Sequence, residues 1–266
     1  MVYLLIMAIV TLTTDLGIKD FYVASIKGKL LSLFPNANII DISHQIPAFD
    51  IQVAAFSLRN CYKDFPQGTI HIVGVNPAKT AAHKHVVIQY KGHTFIGADN
   101  GIFSLLIDEP LEAKVVEILV DQVARTQTFP VKDIFVEVAA YLLKGGNPEK
   151  IGPPVKVLLE RSTMAPVLDA DSIRGMALYV DSIGNITTNI TSEMFKKVGQ
   201  GRPFEITFRR LDYTIKQLSP DYENVPEGER LALFNHADHV EIAINRGNAS
   251  KLFGIKLYDT IRVDFS

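Results

Sequence analysis

The 266-residue sequence has a single cysteine, Cys61, so it can form no internal disulfide, and a reducing, cytoplasmic setting fits the chain. Neither sign of charge is in excess. The 27 basic residues stand against 29 acidic ones and do not cluster, which leaves no electrostatic footprint for nucleic acid or an anionic membrane. No apolar run is long enough to cross a bilayer. Residues 3–12 come nearest, but they lack a basic flank and a small-residue cleavage pattern and run into Thr11, Thr13, Thr14 and Asp15, so they read as a strand. Repeats and low-complexity stretches are missing, which suits a compact enzyme or binder better than a scaffold. No P-loop or dinucleotide fingerprint follows any strand, and the histidines and carboxylates show no metal-ligand spacing, so neither phosphate nor metal chemistry is expected.

What is present is enough apolar material, 47% of residues, to bury one large or two modest cores. After the first strand, apolar residues at Phe21, Ala24, Ile26, Leu30, Leu31 and Phe34 predict a helix. Residues 39–42 predict a second strand, 51–61 a helix capped by Asp50, and 68–75 a third strand. Residues 86–90 and 94–96 read as an antiparallel pair, Asp99-Asn100-Gly101 as a turn, 102–106 as a short helix, 115–120 as a strand and 133–143 as a helix closed by Gly145-Gly146. Beyond a proline-rich linker at 153–172 the pattern changes to seven short strands, 174–180, 185–190, 204–208, 213–217, 231–234, 240–244 and 261–265, with one helix at 192–198. The expected fold is an α/β N-terminal domain, a layered sheet with flanking helices over residues 1–152, followed by an all-β barrel domain over 173–266.

Polar residues collect where strands end. Asp15 lies where the first strand gives way to a helix, the position at which open α/β sheets bind ligands. A turn or cap residue and a carboxylate for vicinal hydroxyls both fit that position, and Asp20, one turn on, could face a cation. His44 follows the second strand. The long loop 75–85 after the third carries His83, His85, Lys79 and Lys84 and is a candidate active-site loop. His71, inside a strand, and His93, at a hairpin, read as structural, and Cys61 as a small apolar group.

Several separated motifs then fall in register: Thr14-Asp15-Leu16-Gly17 with Asp20; Ile40-Asp41-Ile42-Ser43-His44 ending in Asp50; Asp99-Asn100-Gly101; Asp181-Ser182-Ile183-Gly184-Asn185 with Thr188-Asn189-Ile190; and Ile242-Ala243-Ile244-Asn245. Together they resemble the S-adenosyl-L-methionine (SAM) hydroxide adenosyltransferases, relatives of the bacterial fluorinase and chlorinase. The resemblance implies displacement of methionine from ribose C5′ by water or hydroxide, with SAM as substrate and no cofactor. It also implies a homotrimer or a multiple of one, with sites between subunits. Carried over by position, Asp15 would bind the ribose hydroxyls, Asp20 and Asp181 the methionine ammonium, and Asn185 the adenine edge; Asn245 falls in a second adenine-facing segment and Phe49 at an aromatic position beside the nucleoside.

The nucleophile side departs from the family. Its hydroxide enzymes use an aspartate in a Val-Asp-Pro-Gly loop, an arginine shortly after, and a histidine in a Phe-His-Gly-Arg-Asp segment. Here these positions hold Asn76, His83 or Lys84, and Pro130. An amide is no carboxylate base and proline offers no donor. Val131 stands at the halide-binding serine, and His236-Ala237 where the halogenases have Ser-Arg for the methionine carboxylate. His83, His85, Lys79, Lys84 and Lys132 are candidates to replace the lost groups; a solvated surface role fits them equally well. Two readings stay open, a SAM-hydrolysing enzyme and a non-catalytic protein that binds SAM or adenosine.

Overall fold

The first apolar run forms β1 (Ile9–Thr14), buried at every residue. In the computed structural model, which describes residues 8–119, 128–162, 164–208 and 210–266, parallel partners β2 (Asn38–Ser43) and β3 (Ile70–Gly74) flank it on both edges. A strand enclosed in this way reads as one apolar run because both of its faces are covered. β4 (His85–Tyr90), β5 (His93–Ala98) and β6 (Lys114–Glu117) extend the sheet in the order β2-β1-β3-β5-β4-β6, with β5 parallel to β3 and β4 antiparallel to both β5 and β6. Residues 3–7 of the expected first strand, and Val120, lie outside the described residues.

Helices α1 (Tyr22–Leu33), α2 (Ile51–Arg59) and α3 (Ile102–Leu106) pack with this sheet, and a π-helical turn, Val131–Phe135, leads into α4 (Val136–Leu143). Of the apolar residues that predict α1, Ile26 and Leu30 are fully buried, while Phe21 is 70% and Leu31 43% exposed. Phe21 precedes the first helical turn, and Leu31 lies about 100° round the helix from Leu30, so one face cannot hold both leucines. α2 starts as its sequence signals: the Asp50 carboxylate accepts the N–H groups of Gln52 and Val53, each at 3.1 Å, a cap worth about 1 kcal/mol. Cys61 falls just past the end of that helix. His71 is structural, with Nδ1 at 2.7 Å from the Thr11 hydroxyl and Nε2 at 3.2 Å from His93 Nδ1, inside a ring of aromatics that includes Tyr62 and Phe95.

Residues 153–172, expected as a linker, are tied into both parts of the chain. Pro154 bridges Val116 and the Val155 N–H donates to the Val115 carbonyl, while β7 (Val167–Leu168) pairs with β8 (Ser172–Val180). Prolines and absent periodicity hid this edge pairing. The chain divides into two units, residues 1–162 and 163–266.

The second unit continues with β9 (Ile186–Thr191), α5 (Ser192–Gly199), β10 (Phe204–Phe208), β11 (Arg210–Ile215), β12 (Arg230–Phe234), β13 (His239–Ile244), α6 (Ala249–Phe253) and β14 (Thr260–Phe265). The strands follow the order β11-β10-β14-β8-β9-β13-β12, every pairing antiparallel. The two end strands then meet: Leu218 bridges Ala232, the Ser219 N–H donates to the Ala232 carbonyl at 2.7 Å, and Arg230 Nε donates to the Thr214 carbonyl at 3.0 Å. This nearly closed antiparallel barrel leaves little open edge, and Ile173, Ile190, Phe208, Ile242, Ile261 and Val263 fill its interior.

Candidate functional site

In the first unit the candidate residues gather beyond the carboxyl ends of the parallel strands, and Asp15 is where their loops meet. Its Oδ2 accepts the Phe49 N–H at 2.9 Å and the Asn76 N–H at 3.2 Å, joining the loops that follow β1, β2 and β3. Both donors have left-handed backbones, with φ of 66° at Phe49 and 45° at Asn76; asparagine adopts this region readily, so the strain, about 1 kcal/mol, falls mainly on Phe49. The other Asp15 oxygen takes no hydrogen bond among the described residues. A half-occupied carboxylate at a strand end can still accept from ligand hydroxyls. Asp20 lies exposed in the same loop, and Phe49 is 71% exposed beside the Asp15 carboxylate.

The crown is braced from two further directions. Asn100, in the loop after β5, donates from Nδ2 to the carbonyls of Val75 and Asn76, at 3.1 and 3.0 Å, and accepts the Ile102 N–H on Oδ1. Gly101 beside it holds φ 101°, and a Cβ there would meet Arg161 Cγ at 2.0 Å, so the glycine is required. His44 is buried with Nδ1 at 2.7 Å from the Thr14 hydroxyl and Nε2 at 3.0 Å from Asp41 Oδ1, and its carbonyl accepts the Gly17 N–H. Burial works to raise the Asp41 carboxyl pKa, but the Lys27 and His44 bonds outweigh it and hold it below the usual range.

The substituted positions lie around the same strand ends. Asn76 is held through its backbone on both sides, its N–H by Asp15 and its carbonyl by Asn100. Pro130 is buried at the start of the π-helical turn, and Val131 beside it is 0% exposed and packs where a Gly74 side chain would begin, next to Thr14. Pro130 and Val131 are therefore both taken up in apolar packing. His83 is half-buried in a turn in which its N–H donates to the Thr80 hydroxyl at 3.0 Å. Asp99 is 5% exposed; burial pushes its carboxyl up, against the opposing Leu159 N–H bond and the nearby His83 and Lys84. His85 donates from Nε2 to the Pro77 carbonyl at 2.8 Å and packs edge-on to Phe135, and burial pulls its pKa down. Among the described residues no group of three histidine, cysteine or carboxylate side chains is placed to hold a metal ion.

The second unit carries an open cleft of about 800 Å³ lined by Asp181, Ile183, Asn185, Tyr222, Ile244 and Asn245, among others. Asp181 Oδ1 accepts the N–H groups of Ile183, Gly184 and Asn185 at 2.7 to 2.9 Å, and Oδ2 accepts Asn185 Nδ2 at 3.0 Å. The carboxylate is thus largely spent on shaping its own loop. Asn245 Nδ2 likewise donates to the Val225 carbonyl at 2.7 Å. Carboxylate and carbonyl can only accept, so both amides are fixed with their NH₂ groups inward and neither carbonyl oxygen is bonded among the described residues, a pair suited to a ligand bearing N–H donors. His236 does not line this cleft. It sits exposed in the turn before β13, whereas Asn245 follows that strand's other end, six strand residues away. Sequence reasoning counted Asn100 only within the Asp99-Asn100-Gly101 motif and gave it no role of its own, and it passed over Tyr222 and Glu241, because an isolated tyrosine or glutamate carries no spacing signal.

The chain matches the profile described as SAM hydroxide adenosyltransferase N-terminal domain over residues 10–152 and the corresponding C-terminal domain profile over residues 175–262. An (R)-S-adenosyl-L-methionine hydrolase of Thermus thermophilus is 31% identical over 256 residues, covering 91% of this chain and 94% of the relative. A fluorinase of Nocardia brasiliensis is 25% identical with 96% of each chain covered. A solved structure of an uncharacterized conserved protein from Thermotoga maritima superposes with a TM-score of 0.85 at 29% identity, covering 96% of this chain and 99% of that one. With both units matched in order and the relatives spanning nearly the whole length, this chain belongs to the SAM hydroxide adenosyltransferase family.

Proposed function

We propose that the protein hydrolyses SAM to adenosine and L-methionine. Water oxygen attacks ribose C5′, the C5′–S bond breaks with its electron pair passing to sulfur, and the water proton leaves to solvent or a nearby base. Neutralising a sulfonium in a site that excludes water favours this displacement, provided the reactants are held in line. The observation that carries the reading is Asp15: one oxygen fixes the Phe49 and Asn76 loops and the other is open for ribose hydroxyls. Asp20 then serves the methionine ammonium, Phe49 flanks the nucleoside, and Asn185 and Asn245 accept from the adenine amine, with Asp181 acting through Asn185. Assembly as a trimer belongs to the same proposal, and light scattering should return three chains per particle.

A second reading, a protein that binds SAM or adenosine without cleaving it, is favoured by the carboxamide at Asn76 and the buried, donor-free Pro130. Incubation with SAM and chromatography of the products separates the two. Adenosine release above a buffer blank supports hydrolysis; calorimetric binding with no release across a broad pH range supports the binder. Restoring Asn76→Asp, His83→Arg and Pro130→His together should raise turnover if nucleophile activation is what this chain lacks. Unchanged turnover in an active wild type would point to a different arrangement of its own.

A further inference from the structure

The cleft of the second unit is walled by Tyr222, and behind Tyr222 lies a buried carboxylate. Glu241, on β13, is 5% exposed, and no cation pairs with it among the described residues. Neutral donors meet its charge: the Tyr222 hydroxyl donates to Oε1 at 2.6 Å, and Asn235 Nδ2 and the Thr187 hydroxyl approach Oε2 at 2.9 and 3.4 Å. Asn235 cannot turn its amide round, because its Oδ1 accepts the N–H groups of Ala237 and His239. A buried carboxylate without a cation is costly, and an apolar residue would fill a barrel wall more cheaply.

Only one of these bonds reaches out of the core. Tyr222 belongs to a single 3-10 turn, Tyr222–Asn224, and is 41% exposed, so its backbone and packing leave the ring little constrained. Its hydroxyl is the anchor. Burial and the Glu241 bond both push the phenol pKa up, which keeps the proton on the tyrosine and the bond directed at the carboxylate.

We propose that Glu241 is a positioning residue that, through the Tyr222 hydroxyl, holds the Tyr222 ring as a fixed wall of the cleft against which the flat face of a nucleobase packs, with Asn185 and Asn245 meeting its edge. The inference rests on reading this cleft as the nucleoside site. A ring held in place before the ligand arrives loses less freedom on binding, so the anchor acts on affinity.

Calorimetry with adenosine, alongside thermal melts, tests this. Glu241→Leu and Tyr222→Phe should each weaken adenosine binding by about five- to tenfold, and Glu241→Gln, which keeps an acceptor for the phenol, should recover most of what Glu241→Leu loses. If Glu241→Leu does not fold, Tyr222→Phe decides alone. Wild-type affinity in Tyr222→Phe overturns the proposal, as does an equal loss in Glu241→Gln and Glu241→Leu, the mark of a purely structural role. A wild-type protein that binds neither adenosine nor SAM overturns the nucleoside reading itself, and this inference with it.

Discussion

Replacing Asp15 by alanine removes the acceptor on which three loops converge, and the structure sets what that should cost. Two N–H groups, of Phe49 at 2.9 Å and Asn76 at 3.2 Å, lose a charged acceptor. Bonds to charged groups are worth about 1.5 to 3 kcal/mol each, but the Phe49 region is open enough for water to replace part of that, and relaxation of the left-handed Phe49 returns about 1 kcal/mol more. The net loss comes to about 1 to 2 kcal/mol, or a fall in melting temperature of about 3 to 6 °C for a unit of this size. Asp15→Asn keeps one acceptor oxygen and should lose less than half as much. Adenosine affinity should drop much further, by about thirtyfold or more in either variant, because charged bonds to both ribose hydroxyls go with it. A calorimetric melt and a binding titration on the same samples check both parts. An unchanged melting temperature in Asp15→Ala would refute the loop-joining role, and unchanged adenosine affinity would refute the ribose role.

Acid should weaken the first unit through His71, whose pKa burial and its neighbour His93 pull down to about 3 from an ordinary 6.5. Below pH 6.5 the unfolded chain takes up a proton that the folded chain refuses, so stability present above that pH falls by about 1.4 kcal/mol per unit until about pH 3. In urea unfolding followed between pH 6.5 and 4, His71→Gln should flatten the pH slope by up to about one proton; an identical slope would count against the burial argument. Cys61, its thiol pushed up to about 11 by burial and then by Asp64, should be largely unreactive toward iodoacetamide at pH 8 and become reactive in urea. Equal rates in the folded and unfolded protein would show that the thiol is not shielded.

Local pattern determined most of the elements. The buried run of β1, the capped start of α2 at Asp50, the antiparallel pair around Lys91-Gly92 and the change to short strands after residue 170 are set by neighbours a few positions apart, which is the range over which periodicity, caps and turns act. The placing of polar residues after strand ends was legible for the same reason. The two-residue β7 holds a single alternation, too little for a repeat to show, and α6, barely longer than one helical turn, was not anticipated.

The tertiary structure decided what those residues do. That the Asp15 carboxylate is half spent on Phe49 and Asn76, and that Glu241 pins Tyr222, depend on partners far apart in the chain that the two sheets bring together. A side chain's type fixes which bonds it can make. Only the fold determines which of those bonds are already taken and which remain for a ligand.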